Sequence, residues 1–297
     1  MPPVERTTTA TPLRGMYAFV GSTTPGQNNV EVSPGYKQSD HLPMLRSGIL
    51  PLLKSAIDGS LSMGELQDVG ASGWITHHPS NGHIYCTGDG QIKALKVGAG
   101  GSLSVFSSAD SVGGSAYLEL SLDGRWALVA NYGDGNMAVF PIHPDGSLGE
   151  ATDSKHHAVD GLNPALSDRQ EACHPHQIRL DPATQAWALS CDLGADCVWV
   201  YAFDAEVGAL RGAINSKHHL HLPAGSGPRH LDFHPSGKFV YLNLLQPICL
   251  NCCAVLRADF TGICHIYSVH STLRRSDLFP DLLDGLGTCS VSSTQTS

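Results

Sequence analysis

Apolar residues along this chain come in short runs rich in Val, Tyr, Trp and Phe, separated by words built from Gly, Pro, Asn, Asp and Ser. Runs of that length and composition predict β-strands. The clearest are Gly48–Ile57, His83–Thr87, Gln91–Val97, Arg125–Tyr132, Asn136–Ile142, Ala186–Cys191, Cys197–Phe203 and Phe239–Leu242. The turns HPSNG, SLDGR, DPATQ and HPSGK introduce the runs at 83, 125, 186 and 239. Helical periodicity is nearly absent, with Ser39–Ala56 the one ambiguous patch.

The pattern repeats. Asp58-Gly59-Ser60-Leu61, Gly100-Gly101-Ser102-Leu103, Asp145-Gly146-Ser147-Leu148 and Val207-Gly208-Ala209-Leu210 are variants of one turn word, and their leucines are spaced 42, 45 and 62 residues apart. Gly-containing pairs of this kind supply the positive φ that tight hairpin turns need. Four strands in each unit of about 40–45 residues is the period of a β-propeller blade. The long step holds an insertion, roughly Thr152–Cys173, that delivers the chain to His174 and is expected on the binding rim; the first unit carries its own insertion, Gly26–Arg46.

Composition narrows the function classes. The chain has 297 residues, 41% hydrophobic, with 32 Gly and 18 Pro, which describes a turn-rich globular protein of one large domain or two ordinary ones. Its net charge of −9, without any run of Lys or Arg, argues against a nucleic-acid partner. MPPVERTTTATPLRG has no apolar leader core, and no apolar run approaches the ~18 residues of a membrane span. The expected location is cytoplasmic. Cys86, Cys173, Cys191 and Cys197 are sparse and read as reduced thiols, while five further cysteines crowd the stretch after residue 247.

Two polar clusters stand where equivalent strands of successive repeats begin: His174-Pro175-His176 and Gly227-Pro228-Arg229-His230. Strand runs follow each at once, Gln177–Leu180 and Leu231–His234. His230 and His234 read as structural, the latter forming a turn with Pro235; Asp192 and Asn131 read as turn-setting residues. The His219/His221 pair could share a strand face but has no acidic or cysteine partner nearby, and the Cys249-x-x-Cys252-Cys253 group with Cys264-His265 has zinc-like spacing on one side only, so no metal is assigned. Cys173 adjoins His174, but strand neighbours point to opposite faces, and no nucleophile elbow or phosphate-binding glycine loop is present.

The repeats, HPHQ, WALSCDLGADCVWVYAF, GPRHLDFHPSGKFVY and the DGSL turns together resemble the lactonase family of seven-bladed β-propellers, over about Leu13–Tyr241. That family includes propeller-type 6-phosphogluconolactonases and the fungal carboxymuconate-cyclising enzyme. The resemblance implies an all-β fold and a small-molecule lactone or carboxylate substrate, without a required cofactor. It implies a catalytic set drawn from His174 or His176, as acid or base, and Arg229, as the grip on an anion or oxyanion. It also implies a glutamate where Leu244 stands, and a further arginine beyond the point where the pattern ends. From Pro247 the text changes character, so the expected organisation is residues 1–12 as a flexible N-terminus, 13–246 as a partial propeller of about four and a half blades, and 247–297 as an atypical, poorly ordered tail. The expected activity is sugar-lactone hydrolysis. The alternatives are a carboxymuconate-type cycloisomerase, or a propeller fragment that only binds or is inactive. Open strand edges in a partial ring predict self-association.

Overall fold

The computed structural model describes residues 16–22, 48–54, 61–159, 162, 169–212, 219–234, 239–245, 252–259 and 263–270. They form five antiparallel sheets met in chain order. Sheet 1 holds β1 (Met16–Ser22), β2 (Gly48–Lys54) and β3 (Leu61–Met63). Sheet 2 holds β4 (Ile75–His77), β5 (Ile84–Gly88), β6 (Gln91–Val97) and β7 (Leu103–Asp110). Sheet 3 holds β8 (Ser115–Leu120), β9 (Trp126–Asn131), β10 (Asn136–Pro141) and β11 (Asp153–His156). Sheet 4 holds β12 (Pro175–Leu180), β13 (Trp187–Asp192), β14 (Cys197–Asp204), β15 (Ala209–Arg211) and β16 (Leu220–His221). Sheet 5 holds β17 (Pro228–Phe233), β18 (Phe239–Leu244), β19 (Cys252–Asp259) and β20 (Ile263–His270).

Within each sheet, strands adjacent in sequence pair as a meander, except that the short β16 of sheet 4 pairs with β14 rather than β15, and the first strands β1, β4, β8, β12 and β17 lie successively side by side at the hub. This is the blade order of a β-propeller. The strand runs at 91–97, 136–142, 186–191 and 197–203 emerge within a residue or so of their expected bounds. Two features differ from the sequence reading. The insertion beginning at Thr152 is not all loop, because its first part is β11, the outer strand of sheet 3. Residues 252–259 and 263–270, inside the stretch read as a tail, form β19 and β20 and extend sheet 5. The N-terminus, the Gly26–Arg46 insertion, most of the first turn word, Pro235–Lys238, Cys249 and residues 271–297 lie outside the described residues.

The cores sit between sheets, which explains why the runs read as apolar throughout. On β8 to β10, Leu118, Leu120, Ala127, Val129, Ala138 and Phe140 face sheet 2, packing with Tyr85 and Ile92. The intervening residues Tyr117, Leu128, Ala130, Met137 and Val139 face sheet 4, packing with Ile178, Trp199 and Tyr201. The period of two is intact, but both faces are covered, so every residue of β9 is buried. Sheets 4 and 5 meet in the same way through Leu189, Cys191, Val198, Leu231, Val240 and Leu242. Cys86, Cys173, Cys191 and Cys197 are buried free thiols.

The hub strands pair with their own sheets, so side chains join one hub strand to the next. Thr76 Oγ1 donates to the Leu118 carbonyl (2.9 Å), linking β4 to β8. Arg179 on β12 reaches Glu119 on β8 and Asp232 on β17, each at 3.2 Å. Gln177, also on β12, accepts a hydrogen bond from the Leu231 amide of β17.

Candidate functional site

Three of the hub strands carry a β-bulge at the same place. On β8 the register slips between Ser115 and Tyr117, on β12 between Pro175 and Gln177, and on β17 between Pro228 and His230. The extra residues are Ala116, His176 and Arg229. A bulge takes its residue out of the in–out alternation and re-aims the side chain. Here two bulges in neighbouring sheets aim at each other: Arg229 Nε donates to His176 Nε2 at 3.0 Å. This imidazole, one of the two that the sequence left open, and this guanidinium are 53 residues apart in the chain.

Around the pair stand His230, whose ring meets that of His176 edge-on at 4.9 Å, and Tyr132, edge-on to His176 at 5.6 Å. Arg169 comes from the loop before β12; its Nε donates to the Tyr132 hydroxyl (3.3 Å) and its guanidinium lies 5.8 Å from the centre of the Tyr132 ring. The sequence reading missed Tyr132 and Arg169. The location of the Thr152–Cys173 insertion was the available signal for Arg169; Tyr132 had none beyond closing a strand run.

His174 is placed differently. Its ring stacks on Tyr132 at 4.3 Å and 13°, its Nδ1 faces the Tyr132 carbonyl at 2.8 Å, and its Nε2 faces Glu171 Oε1 at 3.0 Å. Both nitrogens are engaged with oxygen acceptors, and the residue is buried. His174 therefore backs Tyr132, while His176 faces Arg229.

The electrostatics of the pair are set by burial and by like charge. Burial pushes the His176 imidazole down to about 3, helped by Arg229, His230 and Arg169. Burial, then Arg169, holds the Arg229 guanidinium below its usual range, with Tyr132 opposing. Burial and Arg229 likewise lower His230. His176 is thus neutral near pH 7 and accepts from Arg229 through Nε2, which leaves the terminal guanidinium nitrogens of Arg229 outside that bond. Two guanidiniums and a phenol around neutral imidazoles form a cradle suited to an anion.

Leu244, where the resemblance places a glutamate, is buried in the apolar core between sheets 4 and 5. Asp192 sets a turn, accepting from the Ala195 amide at 3.0 Å. His234 closes the β17–β18 hairpin through its amide to the Phe239 carbonyl. The His219 ring packs on Trp199 at 4.2 Å, and among the described residues no three His, Cys, Asp or Glu side chains converge as a metal site. No helix among them is long and apolar enough to cross a membrane.

Comparison with known proteins matches residues 52–244 to the family model described as lactonase, 7-bladed beta-propeller. The 6-phosphogluconolactonase of Bacillus subtilis (strain 168) is 29% identical over 157 residues, covering 52% of this chain and 42% of that protein. The 6-phosphogluconolactonase of Pectobacterium atrosepticum is 31% identical, covering 55% and 44%. The chain thus spans less than half the length of these curated relatives. Among solved structures, the periplasmic gluconolactonase of Pseudomonas aeruginosa superposes with a TM-score of 0.70 at 25% identity, over 88% of this chain and 69% of that one. A protein from Lactobacillus plantarum superposes with a TM-score of 0.68 at 23% identity, over 88% and 68%, which speaks to the fold.

Proposed function

Because the chain belongs to the lactonase family of seven-bladed β-propellers, we propose that it is a sugar-lactone hydrolase resembling 6-phosphogluconolactonase, acting on a lactone that carries an anionic group. The observation that carries this reading is the 3.0 Å contact of His176 with Arg229 across two sheets, flanked by Arg169 and Tyr132.

In the free site the Nε2 lone pair of His176 is held by Arg229. An anionic substrate gives Arg229 a stronger partner, frees that lone pair, and offsets the lowering of the imidazole by Arg229. His176 then takes a proton from water as the water oxygen bonds to the lactone carbonyl carbon. The oxyanion is stabilised by the guanidiniums, and the ring C–O bond breaks on its collapse. The ring oxygen leaves as an alkoxide and takes the proton back from His176, giving the hydroxy acid. His174 holds Tyr132 in place from behind.

The test is hydrolysis of 6-phosphogluconolactone above its spontaneous rate, lost in His176→Ala and in Arg229→Ala. Consumption of a carboxymuconate without lactone hydrolysis would move the assignment to cycloisomerisation, and inertness towards both would leave a binding role.

A further inference from the structure

The β13–β14 hairpin closes with Asp192-Leu193-Gly194-Ala195-Asp196, and both segments of the site hang from it. Asp192 Oδ1 accepts from the His174 amide at 2.7 Å, and the Leu193 amide donates to the His174 carbonyl at 3.0 Å. His174 is therefore gripped at both backbone poles, two residues before the bulge that aims His176. The second oxygen of Asp192 meets His157 Nδ1 at 2.6 Å, with both side chains fully buried.

At the far end of the turn, Asp196 serves the neighbouring sheet. Its Oδ1 accepts from the Gly227 amide and its Oδ2 from the Gly225 amide, each at 2.7 Å. Its carbonyl accepts from the Leu222 amide at 2.8 Å. Gly227 immediately precedes Pro228-Arg229 and its bulge. The loop before β12 is tied to the same turn, since Gln170 Nε2 donates to the Leu193 carbonyl (3.0 Å) and to Asp196 Oδ1 (2.8 Å), beside Arg169.

Two comparisons within the molecule set the Asp196 carboxylate apart. In sheet 2 the corresponding hairpin uses Asp89, whose Oδ2 accepts from the Ala71 amide at 2.8 Å, and in sheet 3 Asp134 accepts from the Gly114 amide at 2.6 Å. Those contacts tie a sheet to the lead-in of its own first strand, as Asp192 does. Asp196 reaches across to the lead-in of the next. It does so from a left-handed backbone, φ 49°, which costs a non-glycine residue about 1 kcal/mol or more and is held by the bonds that its side chain makes. Gly194 completes the fit, because a Cβ there would overlap the Ala172 carbonyl.

We propose that the Asp192–Asp196 turn is the jig that keeps His176 and Arg229 in register, with Asp196 the positioning residue for Arg229 and Asp192 the one for His176. The proposal rests on the reading of that pair as the site for its effect on turnover; the positioning itself is readable without any activity.

The experiment follows the His176 ring by NMR through a pH titration, in the parent chain and in Asp196→Asn, Asp196→Gly and Asp89→Gly. Glycine accepts the left-handed backbone while removing both acceptor oxygens, so Asp196→Gly relieves local strain and isolates the lost bonds. Asp89 is the matched control, with a φ of 56° in a sheet remote from the pair. Release of Arg229 from His176 should raise the proton affinity of the imidazole roughly 3- to 10-fold in both Asp196 variants, burial remaining its main depressant, and leave it unchanged in Asp89→Gly. Lactone turnover should fall about 10- to 100-fold, mostly in kcat. An unmoved His176 titration in a folded Asp196 variant, or an equal shift in Asp89→Gly, would overturn the proposal. So would rapid hydrogen exchange of the Gly225 and Gly227 amides in the parent chain, a measurement that needs no variant. A parent that hydrolyses no lactone while its Asp196 variants shift His176 would sink the functional reading and leave the jig standing.

Discussion

At the level of Glu119, Arg179 and Asp232 the hub closes its charges internally, with one guanidinium between two carboxylates on neighbouring strands. Three residues earlier on the same strands, His176 and Arg229 meet with Arg169 alongside, and no carboxylate among the described residues offsets Arg229. The two levels share a repeat and a set of strands, yet their titrating groups are driven in opposite directions. Burial raises Glu119 to about 7, although Arg179 pulls it down, and burial lowers His176 to about 3 with Arg229 pushing the same way. A rung whose guanidinium is bracketed by carboxylates ties hub strands together. The upper rung instead joins a guanidinium to an imidazole that burial keeps neutral, so Arg229 meets no opposite charge there among the described residues.

The contrast between the two rungs is open to direct measurement. The largest effect is expected from Arg229→Ala, which should lower kcat/KM for an anionic lactone by about 10²–10³. Arg229→Lys should recover only part of it, since an ammonium cannot both hold His176 and fork onto an anion; full activity in Arg229→Ala would remove the upper rung from the site.

The next largest is the acid limb of stability. His176 is lower in the fold than its free value of 6.5, so the stability it contributes is present above pH 6.5 and is lost as pH falls towards about 3. Denaturant melts across that window should show a loss on the order of 2–4 kcal/mol, flattened in His176→Gln.

Glu119 has the opposite sign. Its folded value lies above the free value of 4.5, so its contribution is present below pH 4.5 and is lost as pH rises through about 7. Glu119→Gln should remove that alkaline slope, worth about 1–3 kcal/mol, and a slope unchanged by the substitution would show that the lower rung is not the titrating group.

Asp232→Asn should do least, within about 0.5 kcal/mol by thermal melting and without effect on turnover, because the Asp232 side chain is 72% exposed and its ion pair is screened. A larger loss would mean that the lower rung depends on both carboxylates.

Much of this architecture is legible in the residues. The turns after β4, β8 and β12 are closed by their own side chains: His78 Nδ1 accepts from the Asn81 amide (3.1 Å), Asp123 Oδ1 from the Arg125 amide (3.0 Å), and Asp181 Oδ1 from the Ala183 amide (3.0 Å). Such bonds are local, so composition reveals them, and the strand bounds follow. The two polar lead-ins stood out because proline and its neighbours interrupt apolar runs at equivalent points. His174 illustrates the limit: beside His176 in sequence and of the same type, it serves another purpose because its ring meets Tyr132 and Glu171. The bulges that separate their directions depend on pairing with β13, which no single run of residues encodes.

The chain by itself determined the repeat, the strand-and-turn grammar and the two lead-ins at which chemistry concentrates, because each depends on backbone preferences within a few residues. Only the folded molecule decided that His176 and Arg229 touch, that Arg169 and Tyr132 join them, and that Asp196 belongs to sheet 4 in sequence but serves sheet 5 in space. It also decided the protonation of His176 and Glu119, since desolvation and neighbouring charge act through space and are fixed only when distant strands are brought side by side.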